Sequence, residues 1–148
     1  MLKNNANLGR LNISSVMGKL PGTNIFTELY SFGTRSFSIR DANGALIFDS
    51  GDDFEWITAR VYPTNFNPSN NNTAFDDRSD DKRPEPEGVV VGKAFGNTYA
   101  FIGLERIGEV VAYDVSNPHE PFFVDYVNCR NFTVPANMLA PATRDRRD

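Results

Sequence analysis

Short apolar runs broken by turn residues dominate the chain. The runs are rich in β-branched and aromatic residues and are bounded by Gly, Pro, Asn and Asp, the pattern of strands rather than helices. Helical periodicity is nearly absent. The runs predict strands near 8–14, 27–33, 35–41, 45–50, 88–94, 98–105, 109–115 and 121–127. Asn43-Gly44 is a hairpin signal between two of them. Gly96-Asn97 turns the next pair, and Asn117-Pro118 starts a longer turn. The expected fold class is all-β.

Two segments share one design. Phe37-Ser38-Ile39-Arg40-Asp41 passes through a turn to Leu46-Ile47-Phe48-Asp49, and Val111-Ala112-Tyr113-Asp114 passes through another to Phe122-Phe123-Val124-Asp125. Strand–Asp–turn–strand units of this kind suggest antiparallel propeller blades. Residues 88–127 form one four-stranded blade on this reading, and residues 27–50 supply three strands of a second. Asp41 and Asp114 are expected to shape turns through side-chain-to-backbone hydrogen bonds. Tyr30, Phe32, Tyr99, Phe101, Tyr113 and Phe122 are expected to pack between blades. Two blades cannot close a propeller, which has four to eight.

Between the two units lies a long insertion, 51–87, rich in Asn, Asp and Pro. Its stretch 63–72 has neither strand nor helix logic. The aromatics Trp56, Tyr62, Phe66 and Phe75 argue that it is a packed, ordered loop. After Phe132 the pattern stops, and 133–148 reads as an unstructured tail.

Bulk properties narrow the function. The chain has 148 residues, enough for one ordinary domain, with 40% hydrophobic residues, twelve Phe and five Tyr. A net charge of −4 without a basic stripe argues against a nucleic-acid partner. No apolar run is long enough to cross a bilayer. Cys129 and His119 are the only residues of their kinds, so an internal disulfide and an ordinary zinc site are both disfavoured. No nucleophile elbow surrounds Ser36, Ser38, Ser50 or Ser79, and the glycines form no phosphate-cradling motif. Asn12, Asn71 and Asn131 each begin an Asn-X-Ser/Thr glycosylation pattern.

The densest chemistry lies at 76–88, where six carboxylates and three cations precede Val89-Val90-Val91. Hard cations such as calcium take several oxygen ligands. Pro84 and Pro86 stiffen the approach to the strand, so Glu85 and Glu87 have less freedom than ordinary loop carboxylates. If extended, the two glutamates share a face. Asp80, Asp81, Glu85 and Glu87 are the candidate metal ligands. Arg35, Arg78 and Arg106 are candidate anion or phosphate binders, with pairing to nearby Asp or Glu as the alternative.

A set of motifs in fixed order resembles the choice-of-anchor I family. They are Arg35-Ser36-Phe37-Ser38-Ile39, Phe48-Asp49-Ser50-Gly51-Asp52-Asp53-Phe54-Glu55, Arg78-Ser79-Asp80-Asp81-Lys82, Pro84-Glu85-Pro86-Glu87-Gly88, the run 99–108 and Tyr113-Asp114-Val115-Ser116-Asn117-Pro118. The family includes mesenchyme-specific cell-surface glycoproteins and bacterial proteins labelled alkaline phosphatase-like. The resemblance covers about 8–132. It implies a secreted or surface-anchored β-propeller several times longer than this chain, which would then be an internal piece. Arg83, Glu109 and Arg40 depart from the family pattern, which has Gly, Gly and Trp there. Two readings follow from the resemblance. One is a calcium-binding surface protein linked to a mineral or matrix partner. The other is a calcium-dependent phosphoesterase acting on a phosphoester ligand. A chain of two blades expressed alone is expected to be poorly stable or to associate through its sheet edges.

Overall fold

The computed structural model describes residues 3–5, 7, 9–33, 35–81, 84–108, 110–135 and 138. Arg83, Glu109 and most of the tail 133–148 lie outside the described residues. The architecture is mainly antiparallel sheet with one helix. In chain order the elements are β1 (Ser38–Arg40), β2 (Leu46–Asp49), α1 (Asp53–Val61), β3 (Pro86–Ala94), β4 (Asn97–Leu104), β5 (Val110–Asp114) and β6 (Phe122–Val127).

The four-stranded unit forms a simple meander, β3-β4-β5-β6, with every neighbour antiparallel. Its strands fall within two residues of the expected bounds. The turn after β3 is Phe95-Gly96, one residue earlier than the sequence suggests. Both residues have positive φ, 53° and 86°, as a two-residue hairpin of this twist requires. Asp114 closes β5 as expected, its carboxylate accepting from Ser116 N at 2.8 Å. Asn97 Nδ2 also donates to it, at 2.8 Å.

The first unit is smaller than expected. β1 and β2 pair alone in a two-stranded sheet, with a register shift between Ile39 and Arg40. Asp41 Oδ1 shapes their turn by accepting from Asn43 N at 2.8 Å and Ala45 N at 2.9 Å. The segments 8–14 and 27–33 are not strands. They contribute one isolated bridge, Ile13 to Ser31. Leu29, Tyr30 and Phe32 are exposed there, so little burial favours a longer ladder.

The insertion holds an element that the strand reading omits. Phe54, Ile57 and Thr58 follow i, i+3, i+4, and that stripe of α1 faces the sheet. Asp53 and Glu55 sit in its first turn and Arg60 in its last, complementing the helix dipole. Phe54 is fully buried, and Phe37 stacks near it at 6.1 Å between ring centroids. Tyr113 meets Phe37 edge-on at 4.9 Å and Phe54 at 6.3 Å. Its hydroxyl donates to Asp53 Oδ2 at 2.8 Å. Burial raises the Tyr113 pKa, and the Asp53 hydrogen bond and charge raise it further. Tyr113 is therefore a core residue that joins sheet to helix.

Alternation along the strands separates two faces. Ala100, Ile102, Leu104, Val111 and Tyr113 point to the core under α1. The other face carries Val90, Phe101, Val110 and Val127 in facing or adjacent register, and all four are exposed. Phe101 and Phe122 thus lie on an open apolar face.

Phe95 is poorly suited to its place in the fold. It is fully exposed and left-handed at a position where Asn is preferred. Phe95→Asn is expected to stabilise the chain by about 1 kcal/mol, since no packing is lost and a bulky residue leaves the left-handed region. A comparison of urea midpoints checks this; an unchanged or lower midpoint contradicts it.

Candidate metal centre

Pro84 and Glu85 precede β3, yet they continue its pairing. Glu105 N donates to Glu85 O at 2.9 Å, and Arg106 N to Pro84 O at 3.4 Å. A register shift between Pro86 and Gly88 separates these bonds from the regular ladder. Glu85 is not extended. Its φ is 53°, although Pro86 follows and disfavours helical backbone. Such a backbone costs on the order of 1–2 kcal/mol and persists only where surroundings impose it.

Here the surroundings are ionic. Glu85 is buried, and its carboxylate accepts from Arg106 Nε. Arg78 Nη2 lies 3.8 Å from its other oxygen. Arg106 Nη2 also reaches Glu105 at 3.2 Å, and Arg78 Nη1 reaches Asp81 at 2.8 Å. Carboxylate oxygens of Glu85, Glu87 and Glu105 all lie within 4.8 Å of one another. Glu87 and Glu105 are exposed, so the group opens to water on one side.

The crowding leaves a titration signature. The hydrogen bond with Glu85 raises the Glu105 pKa, burial and the Glu85 and Glu87 charges add to it, and Arg106 opposes it. Burial alone would lower Arg106, but the hydrogen bond to Glu85 and the surrounding carboxylates hold it above its ordinary value.

The structure thus brings together a different set from the one the sequence suggests. Glu85 and Glu87 join Glu105. Asp81 lies one step away, on Arg78. Asp80 turns outward to Arg10 at 3.3 Å, and its carbonyl accepts from Asn12 N at 3.1 Å. Glu105 is brought in by strand pairing, a long-range contact that local spacing does not announce. The three candidate arginines are all held by carboxylates. Arg35 lies 3.5 Å from Glu55, on α1, away from the Glu85 group in sequence and partners.

The loop before Glu85 is ordered by polar contacts and by part of its aromatics: Tyr62 packs against Tyr126 and Phe132, and Phe66 is half-buried against Phe75. Trp56 and Phe75 are exposed. Asn67, buried and left-handed, donates from Nδ2 to Ser79 at 2.8 Å, and Ser79 donates to Asp76. Arg130 completes the hold. Its guanidinium donates to the carbonyls of Arg106, Ser69 (2.6 Å) and Asn72 (3.3 Å), and lies 5.1 Å from the Phe132 ring. Burial lowers its pKa. Sequence reading passed over Arg130, whose flanking Asn128 and Phe132 give the only local hint of packing.

A sequence model of the choice-of-anchor I domain matches residues 1–118. The chain belongs to the choice-of-anchor I family. It is 35% identical to Gigasin-3a of Magallana gigas over 123 residues, covering 78% of this chain and 43% of that protein. It is 29% identical over 122 residues to the mesenchyme-specific cell surface glycoprotein of Strongylocentrotus purpuratus, covering 70% of this chain and 16% of that protein. The chain therefore spans less than half the length of these two relatives. No solved structure matches it.

Two consequences of the site geometry can be measured. Glu85→Gln keeps the volume but removes the buried charge that Arg106 and Arg78 share, leaving them only Glu105 and Asp81; a loss of about 2 kcal/mol in urea unfolding is expected, and a loss below about 0.5 kcal/mol would remove Glu85 from its central place. The second concerns Glu55. Burial pushes its carboxyl up to about 7, a backbone hydrogen bond opposes, and the Asp52 charge adds. The folded state then holds a proton that the unfolded state releases near the ordinary glutamate value. Stability contributed by this group is present below that value and is lost as pH rises to about 7. Glu55→Gln is expected to flatten the stability profile across that window; an unaltered profile contradicts the assignment.

Proposed function

We propose that this chain is a piece of an extracellular or cell-surface protein in which β3–β6 form one blade of a β-propeller. We propose further that the Glu85–Glu87–Glu105 corner binds a hard divalent cation, calcium first. The observation that carries the cation reading is the approach of three carboxylate oxygens from three residues to within 4.8 Å. Calcium takes six to eight oxygens at flexible geometry. These three glutamates suit it in charge and donor type, and water or backbone carbonyls would supply the remainder. The raised pKa of Glu105 fits the same reading, because carboxylates held this close favour sharing a proton or a cation.

The location draws on the relatives. One is named a cell surface glycoprotein. The blade reading draws on the four-stranded meander and its open apolar face, the surface by which a neighbouring blade would be covered. Arg35, Arg78 and Arg106 all engage carboxylates, which favours a binding role over a phosphoester clamp.

The test is calorimetric titration of calcium into the gene's full-length product. Glu87→Gln with Glu105→Gln should weaken binding at least tenfold, whereas Asp80→Asn should leave it unchanged. Lowering the pH should weaken wild-type binding, because protons compete for Glu105, whose pKa is raised. Equal binding by wild type and the double variant, or no binding by either, would overturn the cation reading.

A further inference from the structure

We propose that β3 pairs with β3 of a second copy of this chain, antiparallel and about a two-fold axis through Val90. The inference stands on β3 alone and does not rest on the cation reading. Glu87-Gly88-Val89-Val90-Val91-Gly92-Lys93 matches itself when laid antiparallel about its centre. Val90 then faces the partner's Val90, Val89 faces the partner's Val91, and Gly88 faces the partner's Gly92. At the two ends, Glu87 comes beside the partner's Lys93 and Lys93 beside the partner's Glu87. A slip of one or two residues sets a valine against a glycine and parts the charges, so the pattern specifies one register.

The strand is open to such a partner. β3 is an edge of the four-stranded sheet and, at nine residues, its longest strand. Only β4 pairs with it, so its outer side presents N–H and C=O groups that another strand can take up. Val89, Val90 and Val91 are all exposed. Glu87 and Lys93 are exposed too, and neither enters an ion pair among the described residues. Glu87 stands at the register shift with β4, so its pairing is between side chains at the end of the new ladder.

The two glycines are a second observation. Glycine weakens a strand, and inside one it often marks the close approach of another backbone. Neither Gly88 nor Gly92 is left-handed, and a Cβ on either would meet nothing within 4 Å among the described residues. The single chain therefore gives no steric or conformational reason for glycine at these positions. Self-pairing gives the same reason at both, because each faces the other across the axis. The opposite edge, β6, offers no such match. It carries Asp125 and no cation, and the register of its pairing with β5 is broken by a shift. Pairing through β3 joins two four-stranded sheets into one and extends the open apolar face across the axis, since Val90 lies opposite Phe101 within each copy.

The test is sedimentation equilibrium of the gene's full-length product over a range of concentrations, with EDTA present so that no divalent cation engages Glu87. Wild type is expected to dimerise. Lys93→Glu places like charges at both ends of the pairing and should weaken the dimer about tenfold or more, as should Glu87→Lys. Mixed in equal amounts, the two variants present opposite charges at both ends and should associate with each other about as tightly as wild type. Val90→Lys, at an exposed position on the axis, should give a monomer whose circular dichroism is unchanged. Monomeric wild type, a dimer unmoved by Lys93→Glu, or a mixture no tighter than its components overturns the proposal.

Discussion

The contact between Arg106 and Glu85 decides how the rest of the chain is arranged. Arg106 ends the connection out of β4, and Glu85 ends the long insertion. Joining them brings residues 65–85 onto the sheet. The same residue's carbonyl accepts from Arg130, so the segment after β6 is drawn to the same corner. Three stretches far apart in sequence meet through one guanidinium and its backbone. The left-handed backbone of Glu85 is consistent with this. A glutamate before proline would not choose that conformation alone, and the ion pairs supply what holds it there.

The sheet above this corner is finished on one side only. Alternation buries Ala100, Ile102, Leu104, Val111 and Tyr113 beneath α1, while Val90, Phe101, Val110 and Val127 remain open. β3 is an edge strand, and Val89, Val90 and Val91 are each more than 60% exposed, so neither of its faces is packed. An open apolar face beside an unpaired edge is a surface that a larger assembly would cover. The match to less than half of each relative's length is of a piece with that geometry.

The four-stranded meander was legible because its strands are long, apolar and punctuated by turn residues whose chemistry is local. Asp41 and Asp114 shape their turns through bonds to backbone amides two to four residues on, so those turns could be read directly. The segments 8–14 and 27–33 looked equally strand-like, but burial decides strand formation, and their apolar side chains find little to pack against. α1 was hidden by its setting. Phe54, Ile57 and Thr58 carry the helical spacing, but the Gly and Asp residues before them and the Asn- and Pro-rich stretch after them read as loop. The candidate site was half legible. Glu85 and Glu87 stand out beside their prolines, whereas Glu105 reaches them only through the pairing of β3 with β4. The arginines were visible as chemistry, but whether each meets an anion or an internal carboxylate is a tertiary fact.

That last point bears on how such a corner can bind anything. Among the described residues, Glu85, Glu87, Glu105 and Asp81 face Arg78 and Arg106, so part of the carboxylate charge is already balanced. Glu85 is the least available of the four. It is buried, and its charge is needed to hold Arg106 and the loop. Glu87 and Glu105 are exposed and carry the charge that is less fully matched, and Glu105 responds by holding its proton more tightly. On the proposed reading, a cation would enter from the solvent side at Glu87 and Glu105 and meet Glu85 last. Affinity would then depend on how far Arg106 yields its share of Glu85. A corner built to fasten the loop and a corner built to bind a cation draw on the same carboxylate, so strength in one role limits the other.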